Sequence, residues 1–315
     1  MYKGYITDID GIKVGHAQNF KAGTGLTVLI PPANNTCAVE VRGSAPGGRE
    51  TDLLDPINTV NSVNALILSG GSAYGLDAAS GVMQALEEDG YGLDVGVGLV
   101  PIVPQAVLFD LAYKNPKIRP DKKMGREAYK NASLNENRQG IIGAGTGATV
   151  GKILGMENIM KAGLGSATLT KGDLKVSALV AVNAFGDIYD YEKGVQIAGP
   201  NKDNKMLKTT DLMGQIIKDF SELANKNTTI GTVATNASFD KTKLKKIAQM
   251  THDGFARAIN PVHTGFDGDT VFALSTNEIK SDINLVGVMA AKVMSRAIAN
   301  AIYSLNEAFN QESHI

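Results

Sequence analysis

The sequence has few of the residues that commonly build metal and cofactor sites. Its 315 residues include one cysteine and no tryptophan. The lone Cys37 excludes an internal disulfide framework and a cysteine-based zinc site, and it is typical of a protein of the reducing cytoplasm. The four histidines are widely scattered, so no His-rich metal site is predicted, and we expect neither a metal nor another cofactor. They are His16, His252, His263 and His314.

An excess of charge of one sign is also lacking. The chain has 31 Lys and Arg against 32 Asp and Glu, and no long basic run occurs. Binding of nucleic acid or anionic lipid needs clustered basic residues, so neither partner is predicted. The N-terminal segment lacks the apolar region of a signal peptide, and the apolar stretch Val95–Phe109 is interrupted by Pro101 and Pro104. No membrane span is predicted, and a small molecule or peptide is the expected partner.

What is present is a large apolar fraction, 43% of the residues, which is enough for a sizeable core. Short β-branched runs alternate with helical patterns along the whole chain, with no repeat and no Ser/Pro-rich linker. This interleaving predicts one α/β domain, residues 1–315, of layered sheets and helices. The predicted strands are Leu26–Ile30, Cys37–Val41, Asn64–Gly70, Val176–Phe185, Thr228–Thr235 and Thr270–Thr276. The predicted helices are Ser72–Gly90, Asp211–Ala224, one after Asp240, and a strongly periodic one that includes Met289–Leu305.

The glycine-rich segment Gly143–Lys152 has the composition of a phosphate-binding loop but not its spacing. Thr146 stands where such a loop needs glycine, and Ile153 stands where it needs Ser or Thr. A dinucleotide-binding fingerprint also fails, because Ala148 replaces its third glycine. The segment is therefore interpreted as a tight backbone that can approach another chain segment or a substrate closely and that ends in a lysine.

The segment Gly70–Gly75 follows a predicted strand and precedes a predicted helix. This is the context of a nucleophile elbow built on Ser72, but Tyr74 stands where the elbow requires glycine. The simpler interpretation makes Ser72 the N-cap of the following helix. A Ser-His-Asp hydrolase remains the less favoured alternative.

Two carboxylates, Asp267 and Asp269, directly precede the last predicted strand. If this segment is extended, both side chains point to the same face and can converge on one cation or amine. Two like charges so close also raise the proton affinity of one of the carboxylates. By residue type, an Asp-Gly turn with solvated side chains is the favoured alternative. Asn183, at the end of an apolar strand, could offer an N–H to an oxyanion, although Asn is equally a common turn residue.

The junction of Asn227 and Thr228 has the elements of a reaction. If this peptide bond were cut, Thr228 would carry a hydroxyl beside a free α-amine, whose unperturbed pKa is about 7.7 to 8.0. Such an amine can act as the base that activates the hydroxyl, so no histidine is needed. The same hydroxyl could make the cut by an N-to-O acyl shift onto the preceding carbonyl if the turn strains that bond. By spacing alone, a plain loop-to-strand junction is the ordinary interpretation.

Four separated motifs occur along the chain, namely GGSAYGLDAASG from Gly70, GAGTGATVGK from Gly143, NTTIGTVATN from Asn227 and HTGFDGDTVFALST from His263. In these motifs, and over nearly its whole length, the sequence resembles the DmpA-type self-processing aminopeptidases, a family that includes β-aminopeptidases and NylC-type nylon-oligomer hydrolases. The resemblance implies a four-layer αββα sandwich, related to N-terminal-nucleophile hydrolases. It also implies self-cleavage into residues 1–227 and 228–315, which stay associated.

The resemblance assigns roles to individual residues. Thr228 matches the N-terminal nucleophile, and Asn227 matches the residue whose carbonyl it attacks. Lys152 matches a catalytic-site lysine, and Asn183 matches the asparagine that assists at the oxyanion.

The remaining matches favour the nylon-hydrolase branch. Asp267 and Asp269 match the acidic pair of that branch, where the peptidase branch has Ser-Gly-Glu. Phe109 falls where some peptidases have a Tyr near an oxyanion position, so that hydroxyl is missing and another donor is required. Tyr74, Gly75 and Phe109 are the candidate substrate contacts.

We therefore expect a cytoplasmic, autoprocessed amide hydrolase with an N-terminal Thr nucleophile. Its expected substrates are 6-aminohexanoate oligomers or similar linear amides, cleaved through an acyl-enzyme, and its expected assembly is a homotetramer of processed pairs. An L-, D- or β-aminopeptidase of the same family and an acyltransferase on the related fold are the alternatives. A non-enzymatic binding protein of this fold would leave the chain uncut.

Overall fold

The computed structural model describes residues 1–215 and 227–312, and in them 19 strands and five α-helices. The strands are β1 (Lys13–Asn19), β2 (Thr24–Ile30), β3 (Thr36–Val41), β4 (Gly47–Arg49), β5 (Leu66–Ser69), β6 (Leu93–Asp94), β7 (Leu99–Val100), β8 (Gln105–Val107), β9 (Thr149–Val150), β10 (Met160–Lys161), β11 (Leu164–Lys171), β12 (Leu174–Ala181), β13 (Asp187–Asp190), β14 (Val195–Ala198), β15 (Asn201–Lys202), β16 (Lys205–Met206), β17 (Ile230–Ala237), β18 (Ile259–Asn260) and β19 (Thr270–Ile279). The helices are α1 (Ala78–Glu88), α2 (Lys122–Lys130), α3 (Thr209–Met213), α4 (Lys241–Ala258) and α5 (Ile283–Glu312).

Two five-stranded sheets form the middle of the molecule. Sheet A has the order β1-β2-β5-β8-β4, and sheet B has the order β11-β12-β17-β19-β3. Each sheet contains one parallel pair, β5–β8 in sheet A and β17–β19 in sheet B, and its other pairs are antiparallel. Parallel neighbours need a crossover connection, which α1 provides in sheet A and α4 in sheet B.

Three apolar clusters divide the molecule into four layers. Along a strand, neighbouring side chains point to opposite faces, so Val28 packs towards α1 and α2 while Leu29 packs between the sheets. In sheet B, Leu179 faces the space between the sheets and Val180 packs towards α4 and α5. The predicted αββα sandwich is confirmed.

The C-terminal helix α5, with 30 residues, is the longest of the described helices. Its segment Ile283–Leu305 is long and apolar enough to cross a membrane by length and composition alone, with a mean hydropathy of 1.4. An 18-residue stretch of this segment is 72% buried inside the protein, where the helix packs on sheet B and on α4. A core helix of a layered fold passes the same test, and its burial accounts for its apolar composition.

The element boundaries differ from the prediction in several places. The predicted strand Val176–Phe185 ends at Ala181, and the one after Thr228 begins at Ile230. The predicted helix Asp211–Ala224 begins as α3, and residues 216–226 lie outside the described residues. Strands β1 and β11 and helix α2 were not predicted. Strand β1 contains Lys, Gly, His, Gln and Asn, and strand β11 contains Gly, Ser, Thr and Lys. Neither strand has an apolar run, and α2 is mostly polar.

Candidate active site

Thr228 lies two residues before β17 and is buried. Its backbone N–H donates to the carbonyl oxygen of Asn183 at 2.9 Å. Its hydroxyl donates to the carbonyl oxygen of Asn227, which also accepts the backbone N–H of Gly268 at 3.3 Å. In the intact chain the hydroxyl therefore contacts the carbonyl group that precedes it.

The loop that contains Gly268 packs against the Asn227–Thr228 junction, and only glycine fits at this position. A Cβ on Gly268 would lie 2.9 Å from Oγ of Thr228 and 2.5 Å from the carbonyl oxygen of Ala45. Any side chain here would push the N–H donor away from the Asn227 carbonyl. Gly268 thus brings a hydrogen-bond donor close to the hydroxyl and the carbonyl together.

The acidic pair is buried on the same side of the junction, with each carboxylate 2% exposed. Oδ1 of Asp269 accepts the backbone N–H of Thr229 at 2.7 Å, and its Oδ2 lies 2.8 Å from Nδ1 of His263. Oδ2 of Asp267 accepts the backbone N–H and the hydroxyl of Thr264 at 2.8 and 2.7 Å. These are not the solvated side chains of an exposed turn.

Burial shifts the pKa values of two ionisable groups of the site towards 7. Burial, together with the neighbouring Asp269, raises the pKa of the Asp267 carboxyl to about 6, and the charge of Lys152 opposes this shift. Burial lowers the pKa of the Lys152 ammonium to about 7, against the attraction of Asp267 and Asp110. The site can therefore gain or lose charge near pH 7.

Lys152 reaches the junction from the glycine-rich segment. Gly151, with φ +72°, makes the turn, and a Cβ there would lie 2.2 Å from the carbonyl carbon of Gly199. The ammonium of Lys152 donates to Oδ1 of Asn183 at 2.8 Å and to its backbone carbonyl at 3.3 Å. Nδ2 of Asn183 donates to the carbonyl oxygen of Phe109 at 2.9 Å. Asn183 therefore links the lysine to the backbone of Thr228.

A small pocket of about 80 Å³ lies next to the junction. It is lined by Phe109, Asp110, Ala112, Tyr113, Thr149, Lys152, Gly155, Met156 and Asn227. Of the three candidate substrate contacts, only Phe109 lines it. Tyr74 is 61% exposed and stacks on the guanidinium of Arg119 at 3.9 Å, and Gly75 is buried with its carbonyl bound by Gln105.

Ser72 does not cap a helix as predicted. The capping position belongs to Gly71, with φ +84°, and Ser72 is the first residue of a 3-10 turn, Ser72–Asp77, that precedes α1. No side-chain hydrogen bond caps this turn. Gly71 and Ser72, with φ +52°, both have a left-handed conformation, which places the cap at Gly71 and not at Ser72. Residue type alone does not predict this one-residue difference.

His263 is the site residue that the sequence analysis missed. Its ring contacts Asp269, meets His252 edge-on with centroids 4.8 Å apart, and stacks on Phe255 at 5.9 Å. The four histidines are too scattered along the sequence to predict a shared site. Only the motif HTGFDGDT, which places this imidazole six residues before Asp269, carried a signal. Within residues 1–215 and 227–312, no group of three His, Cys, Asp or Glu side chains could hold a metal ion.

The site thus combines a hydroxyl in contact with a carbonyl, a carboxyl with a raised pKa and a lysine with a lowered pKa. Sequence comparisons connect the chain that carries this site to a family. The family model for Peptidase family S58 matches residues 4–313. The chain belongs to peptidase family S58. An uncharacterized aminopeptidase of Mycobacterium tuberculosis is 38% identical over 324 residues, covering 93% of this S58 chain and 92% of the relative.

Two further proteins that resemble the S58 chain, one in sequence and one in fold, have the names of amide-hydrolysing enzymes. A 6-aminohexanoate-oligomer endohydrolase of Paenarthrobacter ureafaciens is 32% identical over 316 residues, covering 93% of this chain and 84% of the relative. The L-aminopeptidase D-Ala-esterase/amidase of Ochrobactrum anthropi has the same fold, with a TM-score of 0.71, 19% identity and coverage of 95% of this chain and 86% of that chain. The S58 chain is an amide-hydrolysing enzyme.

Proposed function

We propose that this chain is a self-processing amide hydrolase in which Thr228 becomes the N-terminal nucleophile. The observation that carries the proposal is the hydrogen bond from the Thr228 hydroxyl to the carbonyl oxygen of Asn227, inside a buried cluster that contains Lys152 and Asp267. A nucleophile held against a carbonyl, with ionisable groups poised near neutrality, is the arrangement that acyl transfer needs.

In self-cleavage, Oγ of Thr228 attacks the carbonyl carbon of Asn227. The O–C bond forms, the C–N bond of the peptide breaks, and the hydroxyl proton ends on the nitrogen of Thr228. Water then hydrolyses the resulting ester, which leaves a carboxylate on Asn227 and a free amine on Thr228. The N–H of Gly268, which already binds this carbonyl, stabilises the developing oxyanion, an interaction worth about 3 kcal/mol when well placed.

In turnover, the freed amine accepts the proton of the Thr228 hydroxyl as Oγ attacks the substrate carbonyl. The amine leaving group departs with a proton, and water releases the acyl group. Asp269 fixes the backbone of Thr229 and so orients the new N-terminus, while ionised Asp267 stabilises its positive charge. Lys152 and Asn183 supply positive charge and hydrogen bonding at the transition state.

Linear amides such as 6-aminohexanoate oligomers are the proposed substrates. The Asp267–Asp269 pair and the 32% identical endohydrolase support them. The 38% identical relative, whose name includes aminopeptidase, supports amino-terminal peptide cleavage as the second candidate. Assays with 6-aminohexanoate oligomers and with amino-acid amides distinguish the two.

Intact-mass spectrometry tests the scheme directly. We expect the purified protein to give masses for residues 1–227 and 228–315. The Thr228→Ala variant should stay whole and lose at least about 10⁴-fold in kcat, because nucleophile and base disappear together. Thr228→Ser, which keeps a hydroxyl, is the matched control and should still cleave itself. A Thr228→Ala chain that splits at this bond would rule out the scheme.

A further inference from the structure

The side chain of Asn227 lies beside the nucleophile without hydrogen bonds of its own. Asn227 is 2% exposed, and neither Oδ1 nor Nδ2 has a hydrogen-bond partner within the part of the chain that the structure describes. Burying an amide in this way is unfavourable, because the amide loses its water and gains nothing in return. The pocket therefore holds this residue without recognising its polar group.

Asn227 lines a pocket whose other walls are mainly apolar. The apolar walls are contributed by Phe109, Ala112, Tyr113 and Met156. The charged groups at the border are engaged elsewhere. The ammonium of Lys152 binds Asn183, and the oxygens of Asp110 accept the Thr24 hydroxyl and the Gly71 N–H, each at 2.7 Å.

Self-cleavage and turnover pass through the same type of intermediate, an ester of the Thr228 hydroxyl. In self-cleavage, the acyl group of Asn227 is esterified to Oγ of Thr228. In turnover, the acyl group of the substrate is esterified to the same oxygen. The two acyl groups must therefore occupy the same space, so Asn227 marks where a substrate acyl group lies.

We propose that the pocket lined by Asn227 is the acyl-side subsite of the enzyme and accepts acyl groups whose α-carbon carries an aliphatic, uncharged side chain. Self-cleavage opens this subsite when the new C-terminus at Asn227 moves out of it. A charged side chain would lose its hydration without gaining a partner, whereas each side-chain methylene gains contact with the walls. The inference rests on the proposed self-cleavage.

The precursor provides a test that needs no substrate. Asn227→Leu and Asn227→Asp are close to Asn in size and differ in charge. We expect the Leu variant to cleave itself at least about tenfold faster than the Asp variant, followed by intact mass over time. Equal rates, or faster cleavage of the Asp variant, would overturn the subsite.

The mature enzyme provides the second test. With the 4-nitroanilides of L-alanine, L-norvaline and L-norleucine, kcat/KM should rise by up to about fourfold per methylene, and the L-aspartate compound should be the poorest. Ala112→Phe, which fills the pocket, should flatten this series, and Phe109→Ala, which widens it, should favour the longest side chain. Ala33→Phe is the control, because Ala33 is exposed and does not line this pocket.

The possible results separate the two proposals. A wild-type chain that stays whole and hydrolyses none of these amides contradicts the proposed function. A chain that cleaves itself but prefers aspartate, or whose preference ignores Ala112→Phe and Phe109→Ala, contradicts only the subsite. If the mature enzyme rejects all four anilides, the order of the two Asn227 variants decides.

Discussion

The N-terminal ends of the two parallel strand pairs are built alike, yet only one of them forms the candidate site. In sheet A, Oδ1 of Asn64 accepts the backbone N–H of Ile102 at 2.8 Å, just before β5 and β8. In sheet B, Oδ1 of Asp269 accepts the backbone N–H of Thr229 at 2.7 Å, just before β19 and β17. In both sheets a side-chain oxygen joins two neighbouring parallel strands. The difference is that one oxygen belongs to a neutral amide and the other to a buried carboxylate.

The larger of the two cavities does not lie at the candidate site. The end of sheet A borders a cavity of about 780 Å³, far larger than the 80 Å³ pocket beside Thr228. The charged side chains that line the larger cavity, Lys13, Asp89, Asp94 and Lys130, are all exposed. The smaller pocket has Lys152 and Asp110 at its border, and both are buried. Buried charge, rather than volume, gives groups that ionise near neutrality.

The largest effect expected from this comparison concerns the two lysines. Lys152→Met should lower kcat by about 10²- to 10³-fold, because a buried charge at the transition state is lost while the volume is kept. Lys13→Met, in the larger cavity, should leave kcat unchanged. Stopped or continuous amidase assays on the two variants check this. Equal losses in both would show that lysine charge acts from a distance and not through the site.

A smaller effect is expected at the carboxylate that joins the strands of sheet B. Asp269→Asn keeps an oxygen for the Thr229 N–H but removes the charge beside the new N-terminus, so we expect kcat to fall by about 10- to 100-fold. The hydrogen bond from Thr229 persists, so any loss of stability should be limited to the contact between Oδ2 and His263. Thermal unfolding of the variant provides the control, and unchanged kcat would restrict Asp269 to a structural role like that of Asn64.

The rate of self-cleavage should depend on pH through Asp267 and Lys152, the two groups of the site with shifted pKa values. Asp267, with a raised pKa of about 6, is ionised only above that pH, and Lys152, with a lowered pKa of about 7, is charged only below its own value. If both charges assist, the rate rises as pH increases through 6 and falls as pH increases beyond 7. Rates measured from about pH 5 to about pH 9 resolve both limbs. Asp267→Asn should flatten the acid limb and Lys152→Met the alkaline limb, and an unaltered profile in either variant contradicts its assignment.

The layers of the fold could be predicted from sequence because they depend on local patterns. The period-four apolar repeat of α5 and the β-branched runs of β2, β5 and β19 report burial directly. Strands β1 and β11 escaped because their sequences are rich in small and polar residues, among them His16 and Ser166, which are buried by the tertiary structure. Propensity cannot anticipate a partner far along the chain.

The site could not be assembled from spacing. Lys152, Asn183, Thr228 and Asp267 come from distant segments, and each has an ordinary interpretation as a loop or turn residue. The family resemblance grouped them, and the structure brings them together. His263 was missed because its contact with Asp269 depends on a left-handed backbone at His263, φ +55°, which no residue type announces.

The smallest effect on activity is expected at Asn64, the sheet A counterpart of Asp269. Asn64→Ala removes the oxygen that binds the Ile102 N–H and leaves that buried donor without its partner, which should cost about 1 to 3 kcal/mol of unfolding free energy. Because no ionisable group of the candidate site contacts Asn64 among the described residues, kcat/KM should stay at the wild-type value below the unfolding temperature. Urea unfolding and amidase assays on the same preparation separate the two quantities. A loss of kcat/KM as large as that of Asp269→Asn would mean that both sheet ends contribute to catalysis. Asn64 and Asp269 would then not differ in role as proposed.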